Sequence, residues 1–589
     1  MYQYTAYDLQ VVTARAQQFR DQLARWQSGE LSDEHFKPLR LQNGWYVQRF
    51  APMLRVAVPY GAISAAQLRA LAGIARTHDR KSAHPLQQAN PGLCQVDSLP
   101  DHCAHFTTRQ NVQFNWIPLS EAADVMDTLA QANMHGIQTS GNCVRNITCD
   151  ALAGLAQDEC ADPRPLCELI RQWSVQHPEF AYLPRKFKVA VSAGADDRAV
   201  TDWHDVGLRL QRLANGELVV RVAAGGGMGR TPLVATVIRE HLPWTQTLNY
   251  LEAVLRVYNL WGRRDNLYKA RLKILVRAET QRFIQEVENE FARVSESDAA
   301  ACTLTQTDWD EVATRFAPAP TASAADVQLW QTWASGAPAA THPGYARWLR
   351  HHVVRQAQPG LAAVTLDFKR VGQGPGDATA DQLQASADLA ERFGAAEARI
   401  THRQNLLLPH VPMSQLPALW QAARQLGLAQ GMAGGVTDII ACPGGDFCSL
   451  ANARSLPLAQ ALLARYQDLD EIHDLGPLAI HISGCMNSCG HHHSGHIGVL
   501  GVDKDGQEWY QITLGGSDGR LAHGPAAAGK VLGPAFAAQD APAALQAVLD
   551  AYLAHRQTNE TFLQTLQRIG VAPFRQATDA ARQPNSAAS

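Results

Sequence analysis

Apolar and polar residues alternate through 53–60 (MLRVAVPY), which predicts a strand. Apolar residues then recur at helical spacing in 62–78 (AISAAQLRALAGIARTH), an amphipathic helix, and 106–117 (FTTRQNVQFNWI) reads as a second strand. The same order returns as 364–371 (VTLDFKRV), a helix near 380–393, and 398–409 (ARITHRQNLLLP). Strand, helix, strand in this arrangement is the pattern of a ferredoxin-like module. The first module is followed by strands at 186–193 (KFKVAVSA) and 217–225 (ELVVRVAAG), then by a helix-rich stretch from 233 to 298. The segment 299–345 is rich in Ala, Pro, Thr and Ser and reads as a connector. The tail from 575 is expected to be disordered.

The repetition extends to individual residues. Thr107-Thr108-Arg109-Gln110-Asn111 recurs as Thr401-His402-Arg403-Gln404-Asn405. KVAVSAG from Lys188 resembles AIHISGC from Ala479, and VVRVAAGGGMGR ending at Arg230 resembles YQITLGGSDGR ending at Arg520. Matches in one order at nearly one spacing mean duplication with divergence. The expected fold is therefore α+β, internally duplicated and pseudo-two-fold, with two ferredoxin-like modules each followed by a larger mixed α/β domain. The expected boundaries are an N-terminal helical extension (1–47), ferredoxin-like half 1 (48–120), a first α/β domain (121–298), a linker (299–345), ferredoxin-like half 2 (346–412), a second α/β domain (413–574) and a disordered tail (575–589).

Read as a strand, the segment from Thr107 puts Thr107, Arg109, Asn111, Gln113 and Asn115 on one face, a row of hydrogen-bonding groups suited to an anionic ligand. The alternative is a solvated sheet face. Lys186 and Lys188 share a face by the same period. Their mutual repulsion calls for a shared anion or open water. Arg55 and Arg145 sit among apolar neighbours, so a purely solvated role fits them poorly.

Composition narrows the class. Across 589 residues the chain is 46% hydrophobic and 18% charged, with a formal net charge of −3, which argues against general nucleic-acid binding. The N-terminus lacks an apolar signal core, and no apolar run reaches membrane-spanning length. A cytoplasmic location is expected, with no membrane and no nucleic-acid partner. There is no G-x-G-x-x-G after a strand and no Walker motif, so no built-in flavin or nicotinamide module is expected. The run His491-His492-His493 with His496 is expected to pack and hydrogen-bond rather than bind a metal.

The sharpest chemical signal is four cysteines. Cys442 and Cys448 form C-x5-C, and Cys485 and Cys489 form C-x3-C, each pair set among glycines and small residues. Four thiolates hold either a 4Fe–4S cluster or a structural zinc. Zinc pairs usually enclose about two to four residues, and the first pair here encloses five, so the spacing favours the cluster. The remaining cysteines, Cys94, Cys103, Cys143, Cys149, Cys160, Cys167 and Cys302, are scattered and odd in number, as reduced thiols would be.

With these residues in place, the chain resembles the sirohaem-containing sulfite and nitrite reductases over roughly 45–555. It is most similar to bacterial assimilatory sulfite reductase hemoproteins. The C-x5-C and GC-x-N-x-C pairs carry the resemblance, supported by TTRQN, RNI-x-C and LPRKFK in order. The resemblance implies that Cys442, Cys448, Cys485 and Cys489 ligate a 4Fe–4S cluster and that Cys489 also bridges to the sirohaem iron. It implies an anion site of Arg55, Arg145, Lys186 and Lys188. Sirohaem contacts would come from Thr107, Arg109, Gln113 and Asn487, with backbone help from Gly225, Gly226 and Gly227. His105 stands where some members have arginine, and Asn115 where some have histidine; both bear on how sirohaem carboxylates are held. The implied activity is six-electron reduction of sulfite to sulfide, in assimilatory sulfur use, with a separate ferredoxin or flavoprotein as donor. Nitrite reduction is the alternative on the same scaffold, and a non-catalytic iron–sulfur or zinc protein the reading from another class.

Overall fold

The computed structural model describes residues 1–48, 52–81, 101–175, 177–297, 302–334 and 342–582. Helices Ala6–Gln27 and Asp33–Gln42 form the N-terminal extension, and Trp45–Val47 already belongs to the first sheet.

That sheet runs Trp45–Val47, Pro52–Val56, Val112–Phe114, Cys103–Phe106 and then Asp377–Thr379. Its last strand comes from the second half, with Asp377 opposite His105 and Thr379 opposite Cys103. The second sheet mirrors it as Val353–Arg355, Leu361–Leu366, Leu406–Pro412, Glu397–Ile400 and finally Ala62–Ser64 from the first half, with Ala398 opposite Ile63. Each ferredoxin-like sheet is thus completed by a strand from the other.

The exchanged strands lead directly into the two duplicated helices. Ser64 caps Ala65–His78 in a capping box with Gln67, and Thr379 caps Ala380–Phe393 with Gln382. Leu68, Leu71, Ala72 and Ala75 on one helix and Leu383, Ala387 and Ala390 on the other are buried, at the i, i+3, i+4, i+7 spacing of an apolar stripe. These residues belong to one core that runs through both modules, where Phe106 and Phe368 meet edge to face at 5.1 Å. Such a ring pair adds about 0.5–1.5 kcal/mol beyond its buried area.

The two larger sheets share a topology. In one, Thr148–Cys149, Val189–Ser192 and Val206–Arg212 are parallel, and Leu218–Ala224 and Thr236–Pro243 continue antiparallel. In the other, Ile440–Ala441, Ile480–Ser483 and Ile497–Lys504 are parallel, followed by antiparallel Gln507–Leu514 and Lys530–Val531. Val189 pairs with Val206 and Ile480 with Ile497, so a 291-residue offset is kept through the register.

Four expectations change. The segment 106–117 is not one strand. Phe106 ends a strand, and 107–111 is a tight turn in which Thr107 N–H donates to the Asn111 carbonyl (2.9 Å) and Gln110 takes φ 57°. Thr401–Asn405 repeats that turn, with Gln404 at φ 61°. The physical reason is the Thr107 hydroxyl, which accepts from the N–H groups of Arg109 and Asn111 and closes a turn the alternation did not reveal. The helix-rich stretch opens with a strand, Thr236–Pro243, and the connector carries helices Gln306–Ala313, Ala324–Ala334 and Pro343–His352. In the tail, residues up to 582 belong to helix Ala572–Ala581 and its cap, with Arg575 and Arg582 donating to the carbonyls of Leu532 and Ala535; 583–589 lie outside the described residues.

Candidate active site

The repeated turns put the site together. Gln110 donates to the Ile400 carbonyl (3.0 Å) and accepts from Cys149 N–H (2.9 Å). Its twin Gln404 donates to the Phe106 carbonyl (3.1 Å) and accepts from Ala441 N–H (3.0 Å). Each turn therefore ties its own half to the other. Between them, the Thr108 hydroxyl donates to the carbonyl of Cys489 (3.0 Å) and brings the first half onto the cysteine loop.

Cys442 follows strand Ile440–Ala441 and Cys485 follows Ile480–Ser483, so adjacent parallel strands deliver one member of each pair at the same end. Gly484 N–H donates to Cys442 Sγ (3.2 Å). Gly490 is required by close approach: a Cβ there would stand 2.0 Å from the Ile482 carbonyl oxygen. Burial, then Cys489, push the Cys442 thiol up to about 12, and burial and then Cys489 and Cys448 push Cys485 up to about 11 after hydrogen bonds from Asn487 are allowed for. Cys448 rises with burial and with Cys489. Cys489 raises all three of the other thiols, so the four cysteines are electrostatic neighbours. Among the described residues no group of His, Cys, Asp and Glu is arranged to hold a single ion. Cys489 alone of the four is exposed.

The cations lie beside these thiols. Arg55 Nη1 and Arg145 Nη1 both donate to the Thr139 carbonyl (3.3 and 2.7 Å), which also accepts from the Tyr46 hydroxyl (3.4 Å). Arg55 Nη2 reaches Gln113 Oε1 (2.9 Å), and Gln113 is oriented in turn by Asn115 (2.9 Å). Burial would raise the Tyr46 phenol, but Arg145 and Arg55 outweigh it and hold it below its ordinary value. Arg109 Nη2 donates to the Asn146 carbonyl (2.7 Å), while its Nη1 is buried with no partner. Burial, with Arg145, Arg271 and Arg55 nearby, lowers Arg109 to about 9. Lys186 is lowered to about 7 by burial and then by Arg271 and Arg145, although Cys489 pulls the other way. Lys188 falls well below the ordinary lysine value through burial, Arg109 and Lys186. Among the described residues none of Arg55, Arg109, Arg145, Lys186 or Lys188 has a carboxylate within ion-pair distance. Five cationic side chains crowd together with an orphaned donor, Arg109 Nη1, and they fit a polyanionic group.

Sequence reasoning missed what steadies this wall. Asp205 accepts Lys188 N–H (3.0 Å) and is held by Arg271 (2.8 and 2.9 Å). Lys273, on the same helix as the residues after Arg271, donates to the carbonyls of Gly227, Met228 and Thr231 and fixes the glycine loop. Within that loop Gly225 and Gly227 spend their N–H groups on the Asp205 and Leu233 carbonyls, while the Gly226 N–H has no hydrogen-bond partner among the described residues. An arginine and a lysine at the start of an apolar helix (Arg271, Lys273) were the available signal. Thr107 stands at the turn and Asn487 is exposed between Cys485 and Cys489. His105 does not face the recess: it bridges the halves, with Nδ1 at 2.7 Å from Asp377 Oδ1 and Nε2 at 3.0 Å from Gln404 Nε2. His492 is buried against His493, which contacts the Gly229 carbonyl (2.9 Å).

In the other half the counterparts of three cysteines differ, and that of Arg109 is ion-paired. The 291-residue offset puts Gly194 and Arg198 where the second half has Cys485 and Cys489, and Val200 and His491 share the same left-handed conformation (φ 57° and 56°). Arg198 pairs there with Asp150, the twin of Cys442, at 2.6 Å and with Asp158 at 2.8 Å. Arg403, the twin of Arg109, pairs with Asp438 at 3.0 Å. One copy kept the cations and the other kept the thiols.

The family model of the nitrite and sulphite reductase 4Fe-4S domain matches residues 140–294 and 432–584. This chain belongs to that family. The ferredoxin-like half domain of the nitrite and sulfite reductases matches 48–85 and 367–426. A protein named sulfite reductase (ferredoxin) 1, from Mycolicibacterium paratuberculosis, is 29% identical over 71% of this chain and 68% of its own length. A ferredoxin–nitrite reductase from Synechococcus elongatus is 28% identical over 80% of this chain and 81% of its own. The solved structure of Mycobacterium tuberculosis NirA, 24% identical, has the same fold, with a TM-score of 0.71 and 92% of both chains covered. The cofactors of this family reductase are sirohaem and a 4Fe–4S cluster. No helix among the described residues is long and apolar enough to cross a membrane.

Proposed function

We propose that this chain reduces sulfite to sulfide, a six-electron reduction, with electrons brought by a separate ferredoxin or flavoprotein. One observation carries the reading: two lysines, Lys186 and Lys188, stand with Arg55, Arg109 and Arg145 beside Cys489, and among the described residues no carboxylate is within ion-pair distance of any of them. Cys442, Cys448, Cys485 and Cys489 would hold the cluster, and Cys489 would also serve sirohaem. Thr107, Arg109, Gln113, Asn487 and the Gly226 amide hold sirohaem's carboxylates. When bound, sirohaem and the cluster would supply the one-electron redox chemistry of the reduction.

Arg55, Arg145, Lys186 and Lys188 hold the substrate oxygens and balance their charge. Lys186, lowered to about 7, is poised to give a proton at neutral pH as an oxygen leaves as water. Sulfite carries more charge and one more oxygen than nitrite, so the second lysine favours it. Nitrite reduction is the second reading, since relatives of similar identity are named nitrite reductases. Steady-state reduction of both anions with a low-potential artificial donor decides between them. Lys188→Asn is expected to lower kcat/KM for sulfite more than for nitrite, and equal losses count against sulfite as the preferred substrate.

A further inference from the structure

The two twin arginines have opposite fates. Arg403 donates to Asp438, and that carboxylate also accepts from Asn405 Nδ2 (3.0 Å) and Gly434 N–H (2.9 Å). Burial lowers the Arg403 guanidinium, but Asp438 and Asp518 outweigh it and raise it above its ordinary value. The strand register puts Asn146 where the second half has Asp438. Asn146 contributes its carbonyl to Arg109, and its amide nitrogen donates to the Val58 carbonyl (2.8 Å) and to Asn111 Oδ1 (2.8 Å). Arg109 is aimed, but its charge is left unanswered.

We infer that Asn146 is a positioning residue whose neutrality reserves Arg109 for a carboxylate of sirohaem. This rests on the proposed function, in which Arg109 holds the cofactor. A carboxylate at 146 would bind Arg109 internally, as Asp438 binds Arg403, and close the wall from within. The second half also shows that an aspartate is compatible with this turn, because Asn405, the twin of Asn111, turns its amide toward Asp438.

The test uses the purified holoprotein of Asn146→Asp and Asn146→Ser, with the sirohaem absorbance read against cluster iron and labile sulfide per chain. Both substitutions lose the same two amide hydrogen bonds, and only the first adds charge. Asn146→Asp is expected to keep its cluster while holding about tenfold less sirohaem, and Asn146→Ser to stay near the unsubstituted chain. The inference is overturned if Asn146→Asp carries full sirohaem, or if Asn146→Ser loses as much. Should Asn146→Asp not fold, Asn111→Asp replaces it, since Asn111 Oδ1 acts only as an acceptor, from Val58 N–H and Asn146, and an aspartate keeps both bonds. Full sirohaem in that variant overturns the inference equally. Arg109→Gln separates the two claims. If it retains sirohaem, the assignment of Arg109 to the cofactor fails; if it loses sirohaem while Asn146→Asp retains it, only the role of Asn146 fails.

Discussion

Lys186 sits in a recess that penalises its charge. Its pKa of about 7, against an ordinary 10.5, means that the folded chain disfavours the ammonium by a few kcal/mol, on the order of 2–5. A lowered lysine pKa makes folding less favourable at any pH where the unfolded chain would hold that proton. The penalty is complete below about pH 7 and fades as pH rises toward 10.5. Lys186→Met is therefore expected to raise the melting temperature of the cofactor-free protein at neutral pH, with the gain shrinking under alkaline conditions. A gain independent of pH would show that the lysine's charge is not the cause. Asp205 is the opposite case. Asp205→Asn strips Arg271 of its partner among like charges and should cost about 3–5 kcal/mol, read by chemical denaturation. At this scale the cysteines stood out by their spacing, and the resemblance named the four basic residues, which the structure brings near one another. Asp205 and Asn146 were not legible, since an acid and an amide in ordinary surroundings carry no local mark of what they pair with.

Elements were legible where periodicity alone decides. Helix Ala380–Phe393 matches its expected bounds, and the helix expected from 62 begins at Ala65 because 62–64 pair as a strand. The turn at 107–111 was hidden because its five residues are all polar and carry no period of their own, so nothing in the pattern marks the turn that the Thr107 hydroxyl closes. The strand exchange was hidden too, because nothing within Ala62–Ser64 specifies a partner more than three hundred residues away. The cysteine loops are tight enough to test directly. Gly490→Ala places a methyl against the Ile482 carbonyl and is expected to lower iron and labile sulfide per chain severalfold, while Gly506→Ala, at an open turn, changes neither.

Over the whole molecule, one apolar core spans both ferredoxin-like modules, so the halves are not separable folding units. Neither 1–334 nor 342–582 alone is expected to give a soluble, protected sheet by hydrogen exchange. The two expressed together are expected to recombine and to take up both cofactors. Independent folding of either piece would contradict the shared core. The duplication itself was plain in the sequence, and so was the order of its parts. That Asp150 and Arg198 pair where the second half has Cys442 and Cys489, and that Arg403 is paired where Arg109 is not, required the register and the ion pairs.

The borrowed edge strands carry a consequence for how such a chain can change. Because Ala62–Ser64 and Asp377–Thr379 each finish the other module's sheet, the ion-paired counterpart of the cysteine site cannot be discarded as surplus. Its arginines and aspartates stay on as ballast, and drift there is tolerated only so far as the working side's frame is left standing.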